Sequence, residues 1–283
     1  MPLLTTPDTN LYYEIFQPEF TLGPLKSYSP ETVLLLHGFA GTPETDFEAQ
    51  LPHLRHRYRV LAPHLHGYGR SSQRSSYALS YYRDDVVDMI ALLDMLQIDH
   101  VRVLGFSDGA IVGLLLAALH PERVKLLAVL GAQPTINAQN AAAIRHWLLE
   151  EPLSEKWQTQ MAELHGEPYW RSLPRMYVEA QDALVAAGGV LITDEELASI
   201  RCPALIMHGK RDRIVPADYA RVIAEHIPGS QLLLFDAGHA AHIRCEKEYT
   251  EAIMNFFNGP ITRPHLGFAS ASSSVGPPWP LLA

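Results

Sequence analysis

The sequence Val101-Arg102-Val103-Leu104-Gly105-Phe106-Ser107-Asp108-Gly109-Ala110-Ile111-Val112 decides the fold. A strand-like apolar run leads into a Gly-x-Ser-x-Gly turn, and a helix-like apolar run follows it. This setting exposes a serine hydroxyl on a sharp turn at a helix N-terminus, where developing negative charge is favoured. Gly105 and Gly109 suit the turn, because side chains two residues before and after the serine would crowd it. The stretch therefore indicates a nucleophile elbow, with Ser107 as an activated nucleophile.

Candidate partners of Ser107 follow it in the order acid, then histidine, which is the order expected after such an elbow. Asp212 lies in the loop after the strand-like run 203–207, and His239 lies in the loop after the run 231–235. The carboxyl ends of parallel strands share one edge of a sheet, so the three side chains are expected to meet there. The sequence therefore predicts a catalytic triad of Ser107, His239 and Asp212.

A glycine-bearing loop, residues 37–41, follows another apolar run, residues 33–36. A loop of this kind turns backbone N–H groups toward the nucleophile, and we expect Phe39 and Asp108 to supply the two donors of an oxyanion hole. Loss of one such donor typically lowers turnover about a hundredfold to a thousandfold. The loop therefore favours an enzyme over a purely structural role.

Strand-like and helix-like segments alternate along the chain, which predicts an α/β fold with a mostly parallel central sheet flanked by helices. One helix is predicted from Thr42, as N-cap, through Leu54, and another carries the apolar stripe Val86, Ile90, Leu93 and Leu96. The predicted strands are Leu11 to Phe16, Thr32 to Leu36, Tyr58 to Ala62, Val101 to Leu104, Leu126 to Leu130, Ala204 to Met207 and Gln231 to Phe235.

The alternation stops in residues 134–200, where helical patterns cover 141–150, 154–165 and 169–187 and the first strand-like run is 190–192. We interpret this region as an inserted helical lid over the active site, and a separate helical domain is the alternative. Residues 1–133 and 201–258 then form the core. Residues 259–283 are rich in Pro, Gly, Ser and Ala and are expected to be a disordered tail.

Composition excludes several classes of protein. The chain has 283 residues, 47% of them hydrophobic and 19% charged, which suffices for one large core with an inserted subdomain. Its formal net charge of −9 argues against nucleic-acid and anionic-lipid partners. The apolar run 110–119 is too short to span a bilayer, and residues 1–16 lack the pattern of a leader peptide. We expect a soluble, cytoplasmic protein in which Cys202 and Cys245 are free thiols.

Two histidine pairs, His64 with His66 and His239 with His242, have spacings that resemble metal-ligand pairs. A zinc hydrolase needs a third ligand and a position for the activated water. The Asp-His pair that usually follows His-x-His in such sites is missing. We therefore expect no metal and no cofactor. His242 is expected to pack or hydrogen-bond beside the catalytic loop. His37 and His208, each before a glycine, are expected to shape loops through hydrogen bonds to the backbone.

Together these features resemble the α/β-hydrolase superfamily over about residues 11–257, and within it the biphenyl hydrolase-like family of α-amino-acid ester hydrolases. The motifs that carry the resemblance are Glu44-Thr45-Asp46-Phe47, the elbow Gly-Phe-Ser-Asp-Gly, Cys202-Pro203-Ala204-Leu205-Ile206 with His208-Gly209 and Asp212, and Gly238-His239 with His242-Ile243-Arg244. The Ser-Asp pair discriminates best, because many relatives place Met, Gln, Trp or Leu after the nucleophile. One departure is His64, which stands where the superfamily often has aspartate.

The resemblance implies that Asp108 binds the α-amino group of the substrate. The role is physically reasonable, because an anion one residue from the nucleophile lies near the acyl α-carbon. A charge-assisted hydrogen bond contributes roughly 1.5 to 3 kcal/mol, so a free amine should be preferred about tenfold to a hundredfold over a blocked one. The alternative is an Asp108 bound by a neighbouring arginine or by backbone amides.

The sequence thus predicts a serine hydrolase whose partner is a small-molecule ester, with α-amino-acid esters the favoured class. The same triad supports hydrolysis of a carbon–carbon bond in a ring-cleavage product, and it also supports general carboxylesterase or thioesterase activity. A ligand-binding protein on the same fold is the alternative that is not an enzyme.

Overall fold

The computed structural model describes residues 2–6, 9–19 and 31–259. The predicted tail therefore lies outside the described residues, apart from Gly259. An eight-stranded sheet forms the centre of the described part. Its strands are β1 (Leu3–Thr5), β2 (Asn10–Phe16), β3 (Thr32–Leu36), β4 (Arg59–Pro63), β5 (Val101–Phe106), β6 (Val124–Leu130), β7 (Ala204–Gly209) and β8 (Gln231–Phe235).

The strands lie in the order β1-β2-β4-β3-β5-β6-β7-β8. β2 pairs antiparallel with β1 and β4, and every other neighbouring pair is parallel. All seven predicted strands are present, with bounds that differ by two residues at most, whereas β1 was not predicted. Every residue of β3, β5 and β7 is buried, because helices cover both faces of the sheet. The α/β-hydrolase fold predicted from the sequence is confirmed.

Helices α1 to α3 precede the elbow, α4 follows it, α5 to α8 lie between β6 and β7, α9 lies between β7 and β8, and α10 and α11 follow β8. Their bounds are α1 (Pro43–Asp46), α2 (Leu51–Arg55), α3 (Tyr81–Met95), α4 (Asp108–Leu119), α5 (Ala138–Arg145), α6 (Glu155–His165), α7 (Leu173–Ala186), α8 (Asp194–Ser199), α9 (Asp218–His226), α10 (Ala241–Arg244) and α11 (Glu246–Asn258). A π-helical turn spans His146–Glu150, and a 3₁₀ turn spans Tyr169–Arg171.

The single helix predicted from Thr42 to Leu54 is wrong, because this stretch forms two short helices, α1 and α2, separated by a turn. Pro52 gives the physical reason. It lacks an N–H for the helical hydrogen bond, and its ring would clash with the carbonyl of residue 48 in a continuous helix. Proline is tolerated in the first turn of a helix, and Pro52 is the second residue of α2.

Residues 134–200, called here the helical segment, lie between β6 and β7 and carry α5 to α8. The three predicted helical stretches are present, while the short helix α8 was not predicted. The strand-like run 190–192 is not a strand: Val190 makes one isolated antiparallel bridge with Thr135. This bridge lies near the two ends of the segment.

Two apolar clusters hold the sheet between the helices. On one face β3 and β5 pack against α3, α4 and parts of the helical segment. On the other face Phe47, Leu54, Tyr249 and Phe257 pack against the sheet. Cys202 and Cys245 are free thiols, as predicted. Within residues 2–6, 9–19 and 31–259, no helix has the length and apolar character needed to cross a membrane.

Candidate active site

Ser107 occupies a sharp turn between β5 and α4. Its φ of 53° and ψ of −119° fall in a region that L residues rarely adopt, as expected for a serine at a strained strand-to-helix turn. A Cβ atom on Gly105 would lie 2.6 Å from the carbonyl oxygen of Gly109, and one on Gly109 would overlap the carbonyl of Leu36. The two glycines therefore allow the close approach of backbones that forms the elbow.

The structure brings Ser107, His239 and Asp212 together in one hydrogen-bonded row. His239 Nε2 lies 2.9 Å from Ser107 Oγ, and His239 Nδ1 lies 2.6 Å from Asp212 Oδ2. The side chain of Asp212 is fully buried, and that of His239 is 16% exposed. Each residue follows a different strand, β5, β7 or β8, at the same edge of the sheet.

The buried Asp212 carboxylate is held as an anion. Its Oδ1 accepts the backbone N–H groups of Ile214 and Val215, each at 2.9 Å. Burial alone would raise the pKa of Asp212, but hydrogen bonds from His208 and His239 outweigh it and hold the pKa well below its usual range. An anionic Asp212 fixes the Nδ1 proton of His239, so that Nε2 can accept a proton from Ser107.

His208 was assigned only a loop-shaping role from the sequence. It fills that role, because its Nε2 lies 2.9 Å from the carbonyl oxygen of Val215. The same nitrogen also lies 3.1 Å from Asp212 Oδ2, a contact that the sequence analysis missed. His37 likewise bonds the backbone: it accepts the N–H of Leu65 and contacts the carbonyl of Gly38.

The loop 37–41, called here the oxyanion loop, lies against the nucleophile. A Cβ atom on Gly38 would lie 3.1 Å from Ser107 Cβ. In the described part of the chain, the backbone N–H groups of Phe39 and Asp108 donate to no protein acceptor. Asp108 is the first residue of α4, where helical N–H groups lack partners within the helix. Two free donors thus flank the elbow.

Asp108 lies beside the nucleophile with one carboxylate oxygen satisfied and the other unsatisfied. Its Oδ1 accepts hydrogen bonds from the hydroxyls of Tyr82 and Tyr177, each at 2.8 Å. Its Oδ2 is buried and has no hydrogen-bond partner among the described residues. Burial raises the pKa of Asp108 to about 6, although the two tyrosine hydrogen bonds act in the opposite direction. The carboxylate is therefore mostly anionic above pH 6.

Among the described residues, neither an arginine nor a backbone amide donates a hydrogen bond to the Asp108 carboxylate, so the alternative suggested by the sequence is not found there. The nearby Arg74 forms a buried ion pair with Asp85 instead. Tyrosines surround Asp108 in place of cations, and Tyr177 packs its ring on Phe39 with centroids 3.9 Å apart. Tyr82 and Tyr177 could not be predicted from the sequence, because they come from α3 and α7, which are far apart in the chain.

His64 and His242, one from each of the suggested metal pairs, have other partners. His64 Nε2 lies 3.1 Å from the Glu44 carboxylate, and its Nδ1 accepts the backbone N–H of Arg70. Burial would raise the pKa of Glu44, but the bond with His64 prevails and lowers the pKa to about 2. His242 packs on Phe106 with ring centroids 4.2 Å apart, as predicted for a residue beside the catalytic loop. No group of three metal-ligating side chains occurs in the ranges that the structure describes.

Comparisons with known proteins agree with this architecture. Residues 31–244 match the family model described as the alpha/beta hydrolase fold. The serine hydrolase BPHL of Homo sapiens is 30% identical over 227 residues, which cover 79% of this chain and 78% of that protein. The 2-hydroxymuconate semialdehyde hydrolase of Pseudomonas sp. (strain CF600) is 24% identical, covering 79% of this chain and 86% of that one.

Solved structures show the same fold. A meta-cleavage product hydrolase from Pseudomonas fluorescens superposes with a TM-score of 0.73 at 21% identity, covering 91% of this chain and 97% of that chain. The family match spans most of the sequence and includes the elbow, the oxyanion loop and the loops that carry Asp212 and His239. The chain therefore belongs to the α/β-hydrolase family.

Proposed function

We propose that this protein is a serine hydrolase that cleaves small carboxylic esters, with α-amino-acid esters as the favoured substrates. The observation that carries the proposal is the buried Oδ2 of Asp108, which has no hydrogen-bond partner in the described part of the chain and lies next to the hydrogen-bonded row of Ser107, His239 and Asp212. A buried anionic oxygen without a partner is costly, and a substrate ammonium group would satisfy it.

The reaction proceeds through an acyl-enzyme. His239 accepts the proton of Ser107 Oγ as that oxygen attacks the ester carbonyl, and Asp212 stabilises the resulting imidazolium. The N–H groups of Phe39 and Asp108 stabilise the tetrahedral oxyanion, and His239 then protonates the departing alcohol. In the second half His239 activates a water molecule, which releases the carboxylic acid and restores Ser107. These steps require no cofactor.

Asp108 selects the acyl group through its α-amino group. Because Tyr82 and Tyr177 both donate to Oδ1, they orient the carboxylate and leave Oδ2 as the remaining acceptor. An ammonium on the acyl α-carbon forms a charge-assisted hydrogen bond with this oxygen. An N-acylated substrate loses the charge and adds bulk at the same position, so it should be a poorer substrate.

The helical segment serves in this proposal as a lid over the site, and residues 1–133 with 201–258 serve as the catalytic core. Tyr177 on α7 contacts both Asp108 and Phe39, and Met161 and Trp170 pack on Ala40 of the oxyanion loop. A lid with these contacts excludes water from the reacting groups and shapes the acyl pocket. It is therefore the expected source of substrate specificity.

The test of the hydrolase proposal is turnover of simple amino-acid esters by wild type and Ser107→Ala. The variant should lose nearly all activity, since comparable triads lose on the order of a millionfold. Covalent capture of Ser107 by a fluorophosphonate probe gives a second readout that depends on no particular substrate. Ester turnover that Ser107→Ala retains, or a Ser107 that the probe does not label, would refute the proposal.

A second candidate is hydrolysis of a carbon–carbon bond, which the names of two related proteins favour: a 2-hydroxymuconate semialdehyde hydrolase and a meta-cleavage product hydrolase. The anionic Asp108 argues against it, because a carboxylate-bearing substrate would be repelled at that position. Spectrophotometric assay with 2-hydroxymuconate semialdehyde separates the two candidates. Ser107-dependent turnover of that compound, without turnover of esters, would favour the second candidate.

A further inference from the structure

His165, the last residue of α6, connects the helical segment to two loops of the core. It is 5% exposed, and both of its ring nitrogens are used. The backbone N–H of Gly69 donates to Nδ1 at 2.8 Å, and Nε2 lies 3.0 Å from the carbonyl oxygen of Ala40. Because Nδ1 is an acceptor, the proton is on Nε2, which donates to Ala40. Burial lowers the pKa of His165, in keeping with this neutral tautomer.

Ala40 directly follows Phe39, whose N–H is the proposed oxyanion donor. It has a φ of 57°, in the left-handed region that non-glycine residues seldom adopt. Such a conformation persists only where the surrounding structure holds it. The hydrogen bond from His165 to the Ala40 carbonyl is a specific contact that does so, and Ala40 also packs on Met161 and Trp170.

The other side of Phe39 is held from the core. The N–H of Gly38 donates to Asp46 Oδ2 at 2.8 Å. The His37–Gly38 and Ala40–Gly41 peptide groups, each one peptide removed from those that adjoin Phe39, are therefore hydrogen-bonded to Asp46 and to His165. The Phe39 N–H itself has no acceptor among the described residues. An N–H held in this way keeps its direction without donating a hydrogen bond to a protein acceptor, which is the preorganisation that an oxyanion hole requires.

We propose that His165 is a positioning residue for the oxyanion hole, and that it makes the orientation of the Phe39 N–H depend on the position of the helical segment. This inference rests on the proposed hydrolase function. It differs from a general role in anchoring the segment, because Tyr169 also joins the segment to the core. Its hydroxyl donates to the carbonyl of Gly67 and accepts the N–H of Arg74, and both partners lie outside the oxyanion loop.

The test compares three variants. His165→Asn keeps a polar group near Gly69 but is too short to reach Ala40. His165→Gln places its amide N–H near the position of Nε2 and should restore the bond to Ala40. Tyr169→Phe removes a contact between the segment and the core away from the oxyanion loop. Each variant is measured for kcat and KM on an amino-acid ester, for the rate of fluorophosphonate capture at Ser107, and for Tm.

His165→Asn should lower kcat and the capture rate about tenfold or more, with little change in KM, because the oxyanion donors act mainly in the transition state. His165→Gln should recover most of that loss, and Tyr169→Phe should match wild type. Should His165→Asn fail to fold, His165→Ser replaces it with the same expectation.

Two results overturn the inference alone: capture and kcat that are unchanged in His165→Asn, or an equal loss in Tyr169→Phe. Absence of probe capture in wild type overturns the serine-hydrolase proposal itself and this inference with it.

Discussion

At the scale of single residues, Asp108 combines a proposed role in binding with a cost in stability. Burial raises its pKa from 3.8 to about 6, so the folded protein holds a proton that the unfolded chain has already released. Between those two pH values the folded state binds more protons, and stability falls as pH rises. Above pH 6 the full penalty is present, and it amounts to about 3 kcal/mol.

Asp108→Asn should therefore stabilise the protein at pH 8 and have little effect near pH 4. Asparagine keeps an oxygen that can accept from Tyr82 and Tyr177, and it removes the buried charge. The measurement is the free energy of unfolding in urea at both pH values. Equal effects of the substitution at pH 4 and pH 8 would show that the carboxylate carries no such penalty. A gain in stability together with a loss of amine selectivity is the trade-off expected of a functional site.

At the scale of secondary-structure elements, Asp108 joins a core helix to the helical segment. Tyr82 is on α3 and Tyr177 is on α7, and both hydroxyls lower the pKa of Asp108. Tyr82→Phe and Tyr177→Phe should each raise that pKa. In each variant the preference for a free-amine ester over its N-acetyl counterpart should therefore appear only at higher pH than in wild type.

The measurement is the ratio of kcat/KM for the two esters from pH 5 to pH 9. Taking the ratio cancels any pH dependence of the hydrolysis steps that the two esters share. Tyr77→Phe is a matched control, since its hydroxyl bonds Tyr68 rather than Asp108. An unchanged midpoint in both Tyr82→Phe and Tyr177→Phe would contradict the assigned role of the two hydroxyls.

Elements differ in how far the sequence determines them. Strands such as β3 and β7 were predictable, because continuous apolar runs are typical of strands buried on both faces. The break between α1 and α2 was missed, although Pro52 signals it. The contacts of Tyr82 and Tyr177 with Asp108 carry no local signal. They arise from the packing of α3 and α7 around the elbow. Tyr82 is 26 positions from Asp108 in the sequence, and Tyr177 is 69 positions from it.

At the scale of the whole molecule, the gathering of Ser107, Asp212 and His239 was predictable from topology alone. Parallel strands end at one edge of the sheet, so loops that are distant in sequence must meet there. The placement of the helical segment was not predictable in this way, because no repeating hydrogen-bond pattern fixes how helices lie on the core. That is why His165 and Tyr177 were found only in the structure.

The net charge of −9 supports a prediction about salt. An amino-acid ester is a cation when its amine is protonated, whereas its N-acetyl counterpart is neutral. The field of the whole protein should attract only the cation, so the kcat/KM ratio should fall as salt rises to about 1 M, where the screening length is about 3 Å. Part of the preference should survive, since contact with a buried carboxylate is screened less. A ratio that salt leaves unchanged would contradict this contribution.

The central claim, an ester hydrolase with an amine-binding carboxylate, is tested most directly by one comparison. It measures kcat/KM for a valine or phenylalanine benzyl ester and for the N-acetyl form, in wild type, Ser107→Ala and Asp108→Asn. Wild type should prefer the free amine about tenfold to a hundredfold, Asp108→Asn should lose most of that preference, and Ser107→Ala should turn over neither ester. Equal rates on the two esters in wild type, or an undiminished preference in Asp108→Asn, would contradict it.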